Sequence, residues 1–203
     1  CSAFRRRQPA PSANIAMSST CVIGLLWGDE GKGKLIDFLA AEAEYVVRFG
    51  GGHNAGHTLI RELPDGPEKL VLHVIPSGVL REGSVNVIGN GVAVDPFHLR
   101  DEVKGLKDKG VEVKLGGNLL VSERSPLILP LHQAQDRWAE ERRGNEKIGT
   151  TRRGIGPCYE HKMARRGVRM WQLARPDALA EALDHALPAV NAQLAQLGGG
   201  PVN

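Results

Sequence analysis

The sequence predicts an α/β fold with a mostly parallel central sheet. Short apolar runs alternate along the chain with longer segments of helical periodicity, an order typical of a parallel sheet flanked by helices. The runs that predict strands are residues 22–26, 45–49, 71–75, 85–88 and 119–121. Two glycine-rich stretches each follow directly after one of these runs. Because ligands collect at the carboxyl ends of parallel strands, both stretches could face one crevice.

The segments that predict helices are residues 35–39, 95–110, 131–143 and 177–197. Asp95 followed by Pro96 is typical of a helix start. Pro188 is expected to kink or split the last helix, because proline lacks the amide that a helix interior needs. Residues 61–69 predict an exposed hairpin or loop, and residues 144–157 predict irregular structure.

The composition shows no strong charge bias. The 203 residues carry a formal net charge of +3, and three arginines stand in residues 1–16, which hold no acidic residue. The remainder is neutral, so overall charge gives no reason to expect nucleic acid or a membrane surface as a partner. No apolar stretch is long enough to span a bilayer. The three cysteines form no C-x-x-C pair and no even set, which favours a reducing, cytoplasmic location.

Two regions of unequal size are expected. Residues 1–16 are interpreted as a disordered leader or extension, and residues 17–203 as one α/β domain. The leader's arginines, serines and lack of acids are also compatible with a transit peptide. Met17 stands just before the first predicted strand, which favours Met17 as the natural start and an upstream extension before it.

Residues 28–34, GDEGKGK, form the first glycine-rich turn. A strand, a turn with converging backbone amides and a helix N-terminus together make a phosphate-binding site. The turn fits G-x-x-x-x-G-K, but Leu35 stands where that motif has the Ser or Thr that holds Mg²⁺. Asp29 is then the nearest candidate metal ligand. The alternative is a tight connector that happens to contain lysines.

Residues 50–58, GGGHNAGHT, form the second glycine-rich stretch. One interpretation is a surface loop with two incidental histidines. Another is a zinc site, but His53 and His57 would need a helix to share a face, and the glycines oppose one. A histidine beside a phosphate loop is better suited to donating a hydrogen bond or a proton to a phosphoryl oxygen.

A basic region covers residues 142–169, with nine Lys or Arg against two acids. It could be a solvated surface. The charge surrounds a turn rich in Gly and Thr, residues 149–157, and hydroxyls with arginines on a loop favour a second phosphate site.

Six motifs in order make a specific resemblance: WGDEGKGK, GGHNAGHT, IPSGVL, IGNGV, PLIL and IGTTRRGIGPCYEHKMARRG. They resemble the adenylosuccinate synthetase family from residue 22 to about residue 169. The resemblance implies a P-loop-like nucleotide-binding fold that is incomplete at the C-terminus, since the chain holds under half of the family's usual length. It also implies condensation of inosine monophosphate (IMP) with L-aspartate, driven by GTP and Mg²⁺, through a 6-phosphoryl intermediate.

The resemblance also implies roles for individual residues. Asp29 would be the catalytic base and His57 the catalytic acid, with Asp29 and the Gly56 carbonyl on Mg²⁺. The residues that would line GTP are Gly28, Asp29, Glu30, Gly31, Lys32, Gly33, Lys34, Gly56, His57 and Thr58. The residues that would border IMP are Asp29, Glu30, Gly31, Lys32, Asn54, Ala55, Gly56, His57 and, at its phosphate, Thr151. Arg165 would reach the substrate of a neighbouring subunit, which implies a homodimer.

Two residues depart from the family pattern. Arg152 replaces a glycine, so it must adopt a negative φ or accept strain. Gly50 replaces a glutamine, which removes one side chain near the substrate. Two other functions remain open: a truncated nucleotide-binding or dimerisation module without turnover, and an unrelated P-loop GTPase or kinase.

Overall fold

The computed structural model describes residues 19–25, 31–64 and 66–203, apart from the side chain of Glu62. The chain divides into two compact units, residues 1–32 and 33–203. The helices are α1 (Lys32–Leu39), α2 (Pro96–Asp108), α3 (Pro130–Arg142), α4 (Ile155–Met163) and α5 (Pro176–Leu197). The strands are β1 (Tyr45–Arg48), β2 (His57–Leu63), β3 (Gly66–Leu72), β4 (Val85–Ile88) and β5 (Leu119–Val121). In these ranges no helix has the length and hydropathy that crossing a membrane requires.

The predicted parallel sheet is confirmed. Its three strands lie in the order β1, β4, β5, and both pairings are parallel. Arg48 is level with Ile88, and Ile88 is level with Val121. The three strands therefore end together, and the loops that follow them leave from the same edge of the sheet.

The predicted hairpin is also confirmed, as the antiparallel pair β2 and β3. The strand expected at residues 71–75 is misplaced, because β3 ends at Leu72. The reason lies in α2. The Glu102 carboxylate accepts hydrogen bonds from the amides of His73, Val74 and Ile75, so a side chain takes the place of a partner strand.

Helix α2 begins where the sequence predicts. The Asp95 carboxylate accepts from the amides of Phe97 and His98 at 3.0 and 3.1 Å, and Pro96 occupies the first turn. These are the N-cap and first-turn preferences of helices. The apolar face of α2 packs with the sheet and the hairpin into the largest core cluster, which includes Leu70, Ile88, Leu99, Val103, Leu106 and Leu119.

Helices α3 and α5 pack together through Leu131, Val190 and Leu194. Pro188 does not split α5, which runs unbroken through 22 residues. Leu187 and Val190 on either side of the proline both contact this cluster. That packing offsets the one backbone hydrogen bond that proline cannot donate.

Two further predictions are wrong. The described residues 19–25 form no strand, and Ile23 and Leu25 are 61% and 84% exposed. An apolar run shows that a segment can be buried, but a strand also needs a partner to pair with. Residues 144–157 are not irregular throughout, since α4 begins at Ile155 and continues into the basic region.

Candidate functional site

The first glycine-rich turn is described only in part. Gly28, Asp29 and Glu30 lie outside the described residues. Gly31 has a φ of +72°, a conformation suited to glycine, and belongs with Lys32 to the unit of residues 1–32. Of the predicted strand, turn and helix, the structure therefore shows the helix and residues 31–34 of the turn, while the described residues 22–25 form no strand.

Gly33 in the first turn of α1 lies against His57, the first residue of β2. A Cβ atom on Gly33 would stand 2.6 Å from His57 Nδ1 and 3.1 Å from its Cγ. Only glycine allows the imidazole this close to the helix backbone. The structure thus brings the end of the first glycine-rich turn into contact with the end of the second.

The loop after β1 is held by Arg48. Its guanidinium donates to the carbonyls of Gly50 and Gly52, at 3.3 and 2.6 Å, and to the carbonyl of His73. Burial lowers the pKa of Arg48, while Glu102 opposes that effect. The guanidinium thus ties two carbonyls of the loop to the chain just after β3, which fixes the path towards the exposed residues 54–56.

His53 is buried at the base of this loop. Its ring centre lies 4.4 Å from that of His98, and Nε2 lies 3.9 Å from Asp95 Oδ2. Burial, reinforced by His98, lowers the pKa of His53 to about 4, so the ring is neutral at pH 7. Among the described residues, no group of three His, Cys, Asp or Glu side chains is arranged to hold a metal ion.

Helix α4 and the loop before it contact the second glycine-rich stretch. The Tyr159 hydroxyl lies 2.9 Å from the Gly51 carbonyl and 2.7 Å from that of Gly91. Arg153 donates to the carbonyl of His53. These contacts place the loop of Thr151, which is itself exposed, beside residues 50–56.

Sequence reasoning missed the buried polar residues of α3. Glu140 and Asp136 accept hydrogen bonds from backbone amides at the two ends of residues 149–154. His132 bonds to His161 of α4 at 3.2 Å. The sequence did contain a signal, namely the four-residue spacing of positions 132, 136 and 140, because residues four apart share one face of a helix.

Arg152 and Arg165 both have left-handed backbone conformations, with φ of +56° and +60°. Of the two outcomes expected for Arg152, a negative φ or strain, the structure therefore shows the strained backbone. Arg165 follows α4 where helices usually end with glycine, since its amide bonds to the Lys162 carbonyl and the next amide to that of His161. The Arg165 side chain is exposed.

Replacing Arg152 by glycine is expected to increase the free energy of unfolding by about 1 kcal/mol, because glycine adopts positive φ without the Cβ penalty. Urea unfolding of the purified chain measures this. Arg152→Ala is the control, since it removes the same side chain but keeps the strain. Equal stabilities of the two variants would show that the backbone is not strained at this position.

Comparisons with known proteins point to one family. A model of the adenylosuccinate synthetase family matches residues 21–202. The chain belongs to the adenylosuccinate synthetase family. An adenylosuccinate synthetase of Hahella chejuensis is 54% identical over 170 residues, which cover 84% of this chain and 38% of that protein. One from Wolbachia pipientis wMel is 48% identical over 176 residues, covering 87% and 40%.

Two solved structures match as well. The fully ligated adenylosuccinate synthetase of Plasmodium falciparum superposes with a TM-score of 0.68 at 35% identity, covering 85% of this chain and 41% of that one. The succinoaminodeoxyadenylate synthetase of cyanophage S-2L, bound to dGMP and dATP, gives 0.53 at 25% identity, covering 79% and 40%. The chain thus spans about 40% of the length of these relatives.

Proposed function

We propose that this chain forms the nucleotide-binding and phosphoryl-transfer part of an adenylosuccinate synthetase, which joins IMP to L-aspartate with GTP as the energy source. The observation that carries the proposal is the contact between Gly33 and His57. It unites the helix of a phosphate-binding turn with a histidine suited to proton transfer. The reaction itself is proposed from the chain's membership of the family.

In the proposed reaction, Asp29 accepts the proton that leaves the purine, so that the 6-oxygen can attack the γ-phosphorus of GTP. A bond from this oxygen to phosphorus forms and the bond from phosphorus to GDP breaks, while His57 donates to the departing charge. The aspartate amine then attacks C6, loses a proton and displaces phosphate. The 6-oxygen leaves as part of this phosphate, which is a better leaving group than the same oxygen before it is phosphorylated.

The nucleotide contacts are proposed by position. Residues 28–34 and 56–58 would line GTP, and residues 29–32 and 54–57 would border IMP. Thr151 would meet the IMP phosphate. Support for this last contact comes from Arg153, which ties the Thr151 loop to residues 50–56.

Mg²⁺ is proposed on Asp29 and the Gly56 carbonyl. Gly56 is exposed and stands beside His57 at the start of β2. Mg²⁺ commonly takes one or two protein ligands and completes its shell with phosphates and water, so this small donor set suits it. When bound, the ion would neutralise charge on the phosphates.

A homodimer is proposed from Arg165. Its exposed side chain makes no hydrogen bond within the described part of the chain, and its backbone keeps a conformation that glycine would adopt more easily. Strained residues of this kind cluster at functional sites. A cytoplasmic location is proposed as well, supported by the free thiols of Cys21 and Cys158.

A second candidate is a nucleotide-binding or dimerisation module without turnover. This candidate concerns residues 1–203 by themselves, which span about 40% of the length of the curated relatives. Such a module binds IMP or GTP but forms no product.

The test uses two proteins: the chain alone, and a chimera in which residues 21–202 replace the matched segment of the Hahella chejuensis relative. We expect the chimera to form adenylosuccinate and release phosphate only when IMP, aspartate and GTP are all present. Calorimetric binding of IMP to the chain alone, without product, would assign the chain alone to the module. Phosphate release by a folded chimera without IMP would overturn the proposal in favour of an unrelated GTPase or kinase.

A further inference from the structure

One face of α3 carries three buried polar side chains, at positions 132, 136 and 140. His132, Asp136 and Glu140 are 1%, 9% and 2% exposed. Their four-residue spacing aligns them along the helix. A buried polar group destabilises a fold unless a partner satisfies it, so three in a row need explanation.

All three bind one continuous segment, residues 149–161. Glu140 Oε1 accepts from the amides of Gly149 and Thr150 at 2.5 and 3.3 Å. Asp136 Oδ2 accepts from the amide of Gly154 at 2.9 Å. His132 Nε2 lies 3.2 Å from His161 Nδ1. Helix α3 thus holds the start and the end of the loop of residues 149–154, and through His132 it also holds α4.

The ionisation states of Glu140 and His132 suit these hydrogen bonds. Burial acts to raise the pKa of Glu140, but bonds from the amides of residues 148–150 and from Arg143 outweigh it and lower the pKa. Glu140 is therefore ionised at neutral pH, and charge-assisted bonds are stronger than neutral ones. Burial, with a contribution from His161, lowers the pKa of His132 to about 3.

The tautomer of His132 follows from its partners. Its Nδ1 accepts from the amide of Leu129 at 2.9 Å, so Nε2 carries the proton and donates to His161 Nδ1. A neutral ring can accept on one side and donate on the other, as this chain of bonds requires.

The loop between the two carboxylates is the one that carries Thr151. Because the amides of residues 149, 150 and 154 are bound to α3, they cannot turn outward to a ligand. Thr151 and Arg152 occupy the stretch between these fixed points, and both are exposed. The left-handed conformation of Arg152 lies in this stretch, between anchors on either side.

We propose that Glu140 and Asp136 are positioning residues that hold the loop of residues 149–154 in the shape in which it receives a phosphate. The proposal rests on the proposed function in one respect, namely that Thr151 meets the IMP phosphate. Neither carboxylate touches the ligand. Each acts through backbone amides of the loop.

The first test is amide hydrogen exchange of the 203-residue chain by NMR. In Glu140→Ala, exchange at Gly149 and Thr150 is expected to accelerate at least about tenfold, because the amides lose their acceptor. Glu140→Gln keeps an oxygen at this place and should accelerate exchange less. Glu112→Gln is the matched control, since it removes the same charge from a side chain that is 71% exposed.

Asp136→Ala is expected to accelerate exchange at Gly154, which loses its acceptor, and to leave Gly149 unchanged. Amides in the middle of α2 report whether the fold itself has been weakened. Fast exchange at Gly149 and Gly154 in the parent would overturn the proposal. So would equal acceleration at the loop and at α2, because that would make the carboxylates general contributors to stability.

The second test titrates IMP while following the Thr151 amide. Affinity is expected to decrease about tenfold in Glu140→Ala and less in Glu140→Gln, without change in Glu112→Gln. Equal affinities in parent and Glu140→Ala would overturn the positioning role. If the loop amides of the parent exchange slowly but IMP does not shift the Thr151 amide signal, both the proposed phosphate contact and the ligand part of this inference are overturned. Amide exchange by itself then decides whether α3 holds the loop.

Discussion

In the chimera, replacing His57 by alanine is expected to lower the rate of adenylosuccinate formation by about 10³-fold, the usual effect of losing a general acid. His57 is the first residue of β2, and its imidazole packs on the backbone of Gly33 in α1. A strand and a helix, rather than a free loop, therefore set the position of the ring. Single-turnover measurements with saturating IMP and GTP separate the chemical step from binding. We expect the loss in the rate of that step.

The pH profile gives a second measure of the same role. The parent should show a bell-shaped dependence, because the proposed reaction needs Asp29 as an ionised base and His57 as a protonated acid. His57→Ala should lose the decline on the alkaline side. His185→Ala is the control, since His185 is exposed on α5. A rate for His57→Ala within threefold of the parent, or an unchanged alkaline limb, would remove His57 from the mechanism.

Gly33→Ala tests the position of the imidazole instead of its presence. The new Cβ would lie 2.6 Å from Nδ1, so the ring must move. Because small misplacements of a catalytic group are costly, the rate should fall although His57 and the lysines proposed to bind nucleotide both remain. Gly105→Ala in α2 is the control, since no atom lies within 4 Å of its Cβ. Equal activity in the two glycine variants would mean that the contact is not used.

The parts of the fold that were predictable have local signals. Asp95 and Pro96 mark the start of α2 by themselves, and the apolar runs at 85–88 and 119–121 are closed by their own turns. Parallel pairing followed from the alternation of strands and helices. None of these inferences required knowledge of a distant residue.

The missed elements depend on distant partners. Helix α4 looked irregular because it begins after Gly154 in a glycine-rich, basic region, and its stabilising partners Asp136 and His132 lie on another helix. The end of β3 is set by Glu102, about 30 residues further along. Sequence patterns report what a segment can do, but not which side chain will satisfy its backbone.

The candidate site also has parts that the sequence predicts and parts that depend on distant residues. Its loops were visible as glycine-rich motifs, because positive φ and close approach leave a mark in composition. The support under the loops was not visible, since a glutamate on a polar helix such as Glu140 looks like a surface residue. Only the fold shows that Glu140 faces inward toward the amides of Gly149 and Thr150.

Replacing Gly154 by alanine is expected to decrease the free energy of unfolding by about 3 kcal/mol, the sum of a left-handed backbone penalty and an overpacking penalty. Gly154 has a φ of +75°, and a Cβ there would stand 2.7 Å from the backbone nitrogen of Gln133 and from the carbonyl carbon of His132. Both atoms belong to the first turn of α3, and backbone atoms cannot move aside as the end of a side chain can. Helix α4 would have to shift away from α3 and would weaken the bond from the Gly154 amide to Asp136.

Gly110→Ala separates the two penalties. Gly110 has a φ of +70°, but no atom lies within 4 Å of its Cβ position, so its replacement should cost only the backbone penalty of about 1 kcal/mol. Urea unfolding of both variants at pH 7 measures the difference, which is the contribution of the α3 to α4 contact alone. Equal losses would mean that the loop of residues 149–154 yields to the added methyl group. In that case α3 could not hold this loop in one shape, and the rigid positioning of Thr151 would be lost with it.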